Sequence, residues 1–175
     1  MNITIRQETP DDHAAIYTLT EAAFAEMEHA DGDEQEMPAR LRAGEGFLPE
    51  LSLVAEFDGQ LVGHVLFTEI TIGGHPALCV GPLSVLPAFQ RRGIGGALME
   101  HGHDTARALG FSLCVLVGHE DYYPRFGYEP AGRYGITFPI DAPEACKMVK
   151  FLSPHGATIQ GAVLLPPEHM PGGSE

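Results

Sequence analysis

Apolar and polar positions alternate at Ile3 and Ile5, which predicts a short first strand. Thr9-Pro10-Asp11-Asp12 then reads as a helix start, with Thr9 as N-cap, Pro10 at the first helical position and acids in the first turn. Ile16, Leu19, Ala23 and Phe24 recur at helical spacing, so the helix is expected to run to about Met27. Glu28 to Glu36 reads as an acidic loop broken at Asp31-Gly32-Asp33, followed by a short helix over Met37 to Ala43. From Leu51 the period becomes two: Leu51, Leu53, Ala55 and Phe57 alternate, Asp58-Gly59 signals a hairpin, and a β-like run resumes from Leu61 to Ile72. Gly73-Gly74 marks a second turn, and Ala77 to Val85 forms another strand, giving three antiparallel strands in succession. Ile94, Leu98, His101, Thr105 and Leu109 fall on one helical face that Gly110 is placed to end. Phe111 to Val117 is a short continuous apolar run, hence a buried strand.

These elements fill one domain over residues 1–165, and Pro166 to Glu175, rich in Pro and Gly, are expected to form a flexible tail. With 44% apolar residues in 175, the chain can build a real core. Its three cysteines are too few for a disulfide scaffold, and Cys79 and Cys114, inside apolar strands, read as small core residues rather than nucleophiles. No signal peptide and no membrane-length apolar run is evident, so a cytoplasmic protein with no membrane partner is expected.

The net charge of −14 argues against a nucleic-acid partner, because no basic stripe offsets repulsion from phosphates. Residues 1–60 hold 14 acidic against 3 basic residues, a net of −11. That is either a solvated acidic surface or one that attracts a cationic acceptor.

The most informative stretch is Val85-Leu86-Pro87-Ala88-Phe89-Gln90-Arg91-Arg92-Gly93-Ile94-Gly95-Gly96, between a strand and a helix. The first N–H groups of a helix have no internal partner and the positive end of the helix dipole lies behind them, so phosphate oxygens fit there. Arg91 and Arg92 add positive charge, and a diphosphate ligand is the natural reading. A P-loop would need Gly-Lys-Ser or Gly-Lys-Thr, and neither occurs. A dinucleotide-binding turn would follow the first strand of a parallel βαβ unit, whereas antiparallel hairpins precede this one. A tight turn with no ligand is the remaining alternative.

Gln90-Arg91-Arg92-Gly93-Ile94-Gly95 matches the Q/R-x-x-G-x-G/A signature of the GNAT acetyltransferases, and Val85-Leu86-Pro87 matches the V-x-P that often precedes it. Gly118-His119-Glu120-Asp121-Tyr122-Tyr123-Pro124-Arg125-Phe126-Gly127-Tyr128 resembles a later motif of the same superfamily, nearest to its YhbS-like branch. The order of elements from Ile3 to Val117 fits, with Met148 to Leu165 available for closing strands. The resemblance implies an α+β fold, a mostly antiparallel mixed sheet flanked by helices.

It also implies an acetyl-CoA-dependent N-acetyltransferase in which the amine attacks the thioester directly. The strand before the signature would carry a bulge and splay from the next, with Leu83, Ser84 and Val85 offering backbone groups to pantetheine in the gap. A strand N–H near Leu83 or Val85 would polarise the thioester carbonyl. Gln90, Arg91, Arg92, Gly93, Ile94, Gly95 and Gly96 would form the pyrophosphate loop, and Tyr123 would be the general acid. Arg125 reads either as a phosphate contact or as a surface residue.

Some family members carry a glutamate base on the strand before the signature, and the matching residue here is Cys79. Glu69, His75, His119 and Glu120 are base candidates by location alone, alongside proton loss through water. His101 and His103, two apart on a helix, point to different faces, and no metal is expected. Other readings of the same residues are a coenzyme-A-binding sensor without turnover, or transfer of another acyl group. The acceptor is expected to be a small-molecule or peptide amine, and both a monomer and a homodimer fit.

Overall fold

The computed structural model describes residues 2–25, 27 and 30–169. Their strands are β1 (Thr4–Gln7), β2 (Phe47–Phe57), β3 (Gln60–Ile72), β4 (His75–Val85), β5 (Leu113–Val117), β6 (Glu129–Pro130), β7 (Ile136–Thr137), β8 (Lys147–Phe151) and β9 (Gly161–Leu164). Three α-helices accompany them: α1 (His13–Phe24), α2 (Met37–Ala43) and α3 (Ile94–Ala108). The sheet runs β1-β2-β3-β4-β5-β8-β6, with β9 joined to β3 and β7. β4 with β5 and β7 with β9 pair in parallel, and every other pairing is antiparallel. The expected mixed, mostly antiparallel sheet flanked by helices is therefore present.

The helix expected from Thr9 starts one turn later. Pro10–Asp12 form a 3-10 turn, in which the Asp12 carboxylate accepts the Thr9 backbone N–H at 2.7 Å, and α1 proper begins at His13. The helix face inferred for α3 is also displaced. Leu98, Met99, Gly102, His103 and Ala106 are buried, whereas His101 and Leu109 are exposed. The cause is Phe67 of β3, whose ring occupies the space a Cβ at Gly102 would need. Glycine, silent in a hydrophobic pattern, lets helix and sheet approach there.

β3 alternates between the two faces. Gly63 and Phe67 lie against Ile94, Leu98 and Gly102 of α3. The alternate residues His64, Leu66 and Thr68 are buried on the opposite face, where α1 lies against β3 and β4.

Beneath α1 lies a buried polar cluster that the sequence did not announce. Glu8, which follows β1, accepts from Arg42 Nε at 2.7 Å and from the Ser52 hydroxyl, with His64 Nε2 at 3.3 Å from the same carboxylate. Burial alone would raise the Glu8 carboxyl. Hydrogen bonds from His64, Arg42 and Ser52 outweigh that and hold it far below the usual range. The cluster ties β1, α2, β2 and β3 into one body.

The expected tail is shorter at its start than Pro166. Prolines 166 and 167 cannot extend the β9 ladder, and Pro167–His169 form a 3-10 turn against α2 instead. Arg40 Nε donates to the Glu168 carbonyl at 3.3 Å, and His169 Nε2 lies 2.7 Å from Thr68 Oγ1. Residues 170–175 of that expected tail lie outside the described residues.

Replacing Glu8 by Ala strands Arg42 and His64 in the interior and is expected to cost about 3–5 kcal/mol of stability at neutral pH. The depressed Glu8 carboxyl, and Asp12, which Arg6 lowers to about 2, add stability that is complete above their ordinary values near 4. That contribution disappears as the pH falls through the folded-state values. Urea melts of wild type and Glu8→Ala from pH 7 to 3 should therefore converge toward the acid end; parallel curves would contradict this assignment.

Candidate active site

β4 and β5 pair only at Leu78↔Cys114 and Cys79↔Val115. Beyond Cys79 the two strands part, although β4 continues to Val85 and β5 to Val117. On its other side β4 stays on β3, but with an extra residue: Phe67 faces Val80 and Val65 faces Leu83. This bulge contains Gly81 at φ 147°, a region glycine enters without a Cβ penalty. β5, meanwhile, is fully paired with β8, from Leu113↔Phe151 to Val117↔Lys147. The result is a wedge-shaped gap along one edge of β4, lined by backbone groups that no neighbouring strand satisfies.

The signature loop closes the mouth of this wedge. After Val85, Leu86 N–H bonds to Val62 C=O at 2.9 Å, and Pro87–Phe89 make a 3-10 turn. Gln90 Nε2 returns to Val85 C=O at 3.0 Å, so this side chain shapes the loop. Arg91 at φ 63° and Gly93 at φ 83° turn the chain into α3, where Ala97 N–H bonds to Gly93 C=O at 3.0 Å. The N–H groups of Ile94, Gly95 and Gly96 precede that ladder and carry the positive end of the helix dipole. Arg92 lies 5.5 Å over the Phe89 ring.

The three glycines have different causes. Gly93 is required by its positive φ. At Gly95 a Cβ would strike the Tyr122 hydroxyl, with Leu83 of β4 close behind, and at Gly96 it would crowd the Phe126 ring at 3.3 Å. The aromatic turn therefore lies directly on the first turn of α3, a contact the spacing of the two motifs did not disclose.

Tyr123–Phe126 form a 3-10 turn ended by Gly127 at φ 92°. The Tyr123 ring rests on Gly118, just past the end of β5, and meets Tyr122 edge-on at 5.0 Å and Tyr128 at 6.0 Å. Tyr128 continues the chain to His103, whose Nε2 is 2.8 Å from the Tyr128 hydroxyl. Burial pushes the Tyr123 phenol well above its ordinary value of 10, so it keeps its proton at neutral pH. Burial also drives His103 down to about 3, so its imidazole is neutral. Arg125 stays on its own turn, donating to the Tyr122 carbonyl at 2.9 Å and stacking 4.7 Å over the Tyr122 ring.

The other sequence candidates scatter. Ser84 is buried opposite His64, and its hydroxyl makes no hydrogen bond among the described residues. Glu69 and His75 line a cavity of about 310 Å³ with Leu109 and His155, beside the C-terminal end of α3. His119 and Glu120 are exposed on the loop before Tyr123. His101 is exposed and His103 buried, and among the described residues no group of three or more His, Cys, Asp or Glu side chains could hold a metal ion. Desolvation pushes the thiols of Cys79 and Cys114 up to about 12, which leaves both as poor nucleophiles. A larger cleft of about 620 Å³ lies between α1 and the β2–β3 hairpin, but Arg6 on its wall is already paired with Asp12 and Glu56.

Residues 49–130 match the family model for an acetyltransferase (GNAT) domain. Over 138 residues, covering 74% of this chain and 76% of the relative, the sequence is 38% identical to the uncharacterised N-acetyltransferase YjhQ of Escherichia coli K12. The chain belongs to the GNAT acetyltransferase family. Its structure resembles a GNAT family acetyltransferase from Brucella melitensis solved with acetyl-CoA, at a TM-score of 0.81 and 36% identity over 97% of this chain and 99% of that one. It also resembles Escherichia coli YhbS solved with CoA, at a TM-score of 0.88 and 25% identity over 97% and 92% of the two chains. No helix among the described residues is long and apolar enough to cross a membrane.

The contact between Tyr122 and Gly95 can be tested by a pair of substitutions. Gly95→Ala should destabilise the protein by about 1–3 kcal/mol through overpacking, and adding Tyr122→Phe should recover much of that loss by removing the oxygen in the way. Thermal melts of both single variants and the double variant measure the coupling, and additive effects would show that the two residues do not meet.

Proposed function

We propose that this chain binds acetyl-CoA in the β4–β5 wedge and transfers the acetyl group to an amine by direct attack on the thioester. The observation that supports this most is the unpaired edge of β4 beyond Cys79, with the open N-terminus of α3 at one end and Tyr123 beside the end of β5. An extended pantetheine can bond along that edge as an added strand would. The pyrophosphate then meets the N–H groups around Gly93 to Gly96, a neutral way to hold a polyanion on a chain of net charge −14. In this reading a β4 amide in the Leu83–Val85 segment polarises the thioester carbonyl.

As the carbon–nitrogen bond forms, the carbon–sulfur bond breaks with its electron pair going to sulfur. Tyr123 keeps its phenolic proton at neutral pH and supplies it to that sulfur, while the nitrogen gives up a proton of its own. The reaction thus needs a neutral amine and a proton donor already in place.

The acceptor we infer is a cationic amine. It approaches the face of the sheet covered by α1 and α2, where the chain carries most of its negative charge. Several acids there already hold the loop. Glu34 accepts the Gly32 N–H at 3.1 Å, Asp33 lies 3.6 Å from Arg40, and Glu36 accepts from the Tyr17 hydroxyl at 2.6 Å. Exposed Glu21 is one of the remaining contributors, whereas Glu26 and Glu28, also in this acidic stretch, lie outside the described residues. The three cysteines are unpaired, which suits the reducing cytoplasm.

Tyr123→Phe is expected to lower kcat by about 10²–10⁴-fold while calorimetry finds coenzyme A affinity within a factor of a few of wild type. Thiol release from acetyl-CoA supplied with an amine panel reads the first quantity. An unchanged kcat removes Tyr123 from the mechanism, and a wild-type protein that neither binds coenzyme A nor releases thiol overturns the proposed activity.

A further inference from the structure

A row of polar side chains crosses the α1 face of the sheet. Arg42 of α2 bonds Glu8, Glu8 bonds Ser52 of β2, Ser52 meets His64 of β3, and His64 is directly paired with Ser84 of β4. Directly paired residues of a ladder point to the same side of the sheet, and α1 lies over that side of β3 and β4. His64 and Ser84 are both closed to solvent, at 0% and 1% exposure. Ser84 belongs to the stretch of β4 that runs on beyond its last pair with β5.

The neighbours of His64 locate its proton. Against the effect of burial, hydrogen bonds from His64, Arg42 and Ser52 keep Glu8 ionised, so its carboxylate only accepts. The Ser52 hydroxyl donates its one proton to Glu8, so toward His64 its oxygen can only accept as well. His64 Nε2 lies 3.0 Å from that oxygen and 3.3 Å from the carboxylate, and both contacts require the proton on Nε2. Burial lowers the imidazole below its ordinary 6.5, so the ring is neutral and Nδ1 is a bare acceptor. The two nitrogens face away from each other across the ring. With Nε2 directed to Ser52 and Glu8, Nδ1 is directed away from them, to the side on which β4 lies.

Neither His64 Nδ1 nor Ser84 Oγ has a hydrogen-bond partner among the described residues, so the two do not bond each other. Buried polar atoms of folded proteins are paired with protein or with ordered water in the great majority of cases. The Cβ atoms of directly opposed residues lie about 4.5–5.5 Å apart, so one small molecule can serve both orphans. It must have a proton to give to Nδ1, which a simple anion lacks. A metal ion needs more ligands than this pair and the largely apolar buried face of α1, Ile16, Leu19, Thr20 and Ala23, supply. We propose that His64 Nδ1 and Ser84 Oγ together hold one buried water, which donates to the imidazole and shares a hydrogen bond with the hydroxyl. Two polar partners meet the minimum for an internal water. The polar row is then continuous from α2 to β4, and the strand that borders the wedge is tied by its side chain to the frame that joins β1, β2 and β3.

The test uses the full chain, with neither coenzyme nor amine present. Long-range proton–nitrogen NMR spectra are expected to show His64 protonated at Nε2, with a bare Nδ1 that accepts a hydrogen bond. A high-resolution crystal structure is expected to place an ordered water about 3 Å from both His64 Nδ1 and Ser84 Oγ. Ser84→Ala should lose that water from the electron density, together with the water-to-His64 cross-peak in NOE spectra. A proton on Nδ1, no ordered water at that position, or a direct bond between the two side chains each overturns the site. So does a water that stays at full occupancy in Ser84→Ala, since Ser84 would then not be holding it. The wild-type tautomer and density decide the matter even if Ser84→Ala fails to fold. No measurement here involves acetyl transfer, so an inactive protein that carries the water defeats that reading and leaves this one intact.

Discussion

The separation of β4 from β5 is the constraint on which the site depends. Two parallel strands that share two residue pairs would ordinarily continue to pair, because each unmade backbone hydrogen bond in a protein interior is costly. Here each strand is committed elsewhere. β4 follows β3 through a bulge at Gly81 that bends it, and β5 is fully occupied by β8 over five residues. The sheet therefore leaves an interior edge unpaired by design, and an extended ligand with alternating amide groups satisfies it. Affinity for such a ligand is built into the backbone and asks little of side-chain identity.

Around this gap the core acts as a fixed frame. Phe67 fills the notch at Gly102, meets His103 edge-on at 5.8 Å, and His103 joins Tyr128 and then Tyr123. From Tyr123 the contacts continue through Tyr122 to Phe126, which closes on Gly96. One run of rings thus links the buried centre of β3 to the first turn of α3, with Tyr123 in its middle. The long, desolvated wall explains why the phenol holds its proton and also why its orientation is set before any ligand arrives.

Much of this could be read from residue order. The β2–β3–β4 meander followed from period-two runs separated by Asp58-Gly59 and Gly73-Gly74, and the signature loop stood out because its glycines sit where a strand meets a helix. What escaped were features set by distant contacts. No local pattern reports that Gly102 receives Phe67, or that Gly95 faces Tyr122 nearly thirty residues away. The Glu8–Ser52–His64 cluster draws on three separate elements and has no spacing to betray it. β6 and β7, two residues each, are too short for any periodicity and exist because β8 and β9 offer them an edge. The C-terminal turn was misjudged for a different reason: Pro-Pro usually marks a linker, but here the same rigidity folds Glu168 and His169 back onto α2 and β3.

The two faces of the sheet divide the chemistry by charge. On the α3 side the signature loop presents backbone amides, a helix dipole and two arginines, in the part of the chain where acids and bases nearly balance. On the α1 side acids predominate, several of them tied into Arg40, Arg42 and the loop before α2. Under the proposed reaction, a coenzyme and a cationic amine would meet fields of opposite sign on opposite sides of the sheet. Such an arrangement would keep the amine off the pyrophosphate and the coenzyme off the acidic loop, orienting each before the two meet. The residues where the gap begins, Thr68 and Cys79, are uncharged: a charged side chain there would hold one ligand at the expense of the other.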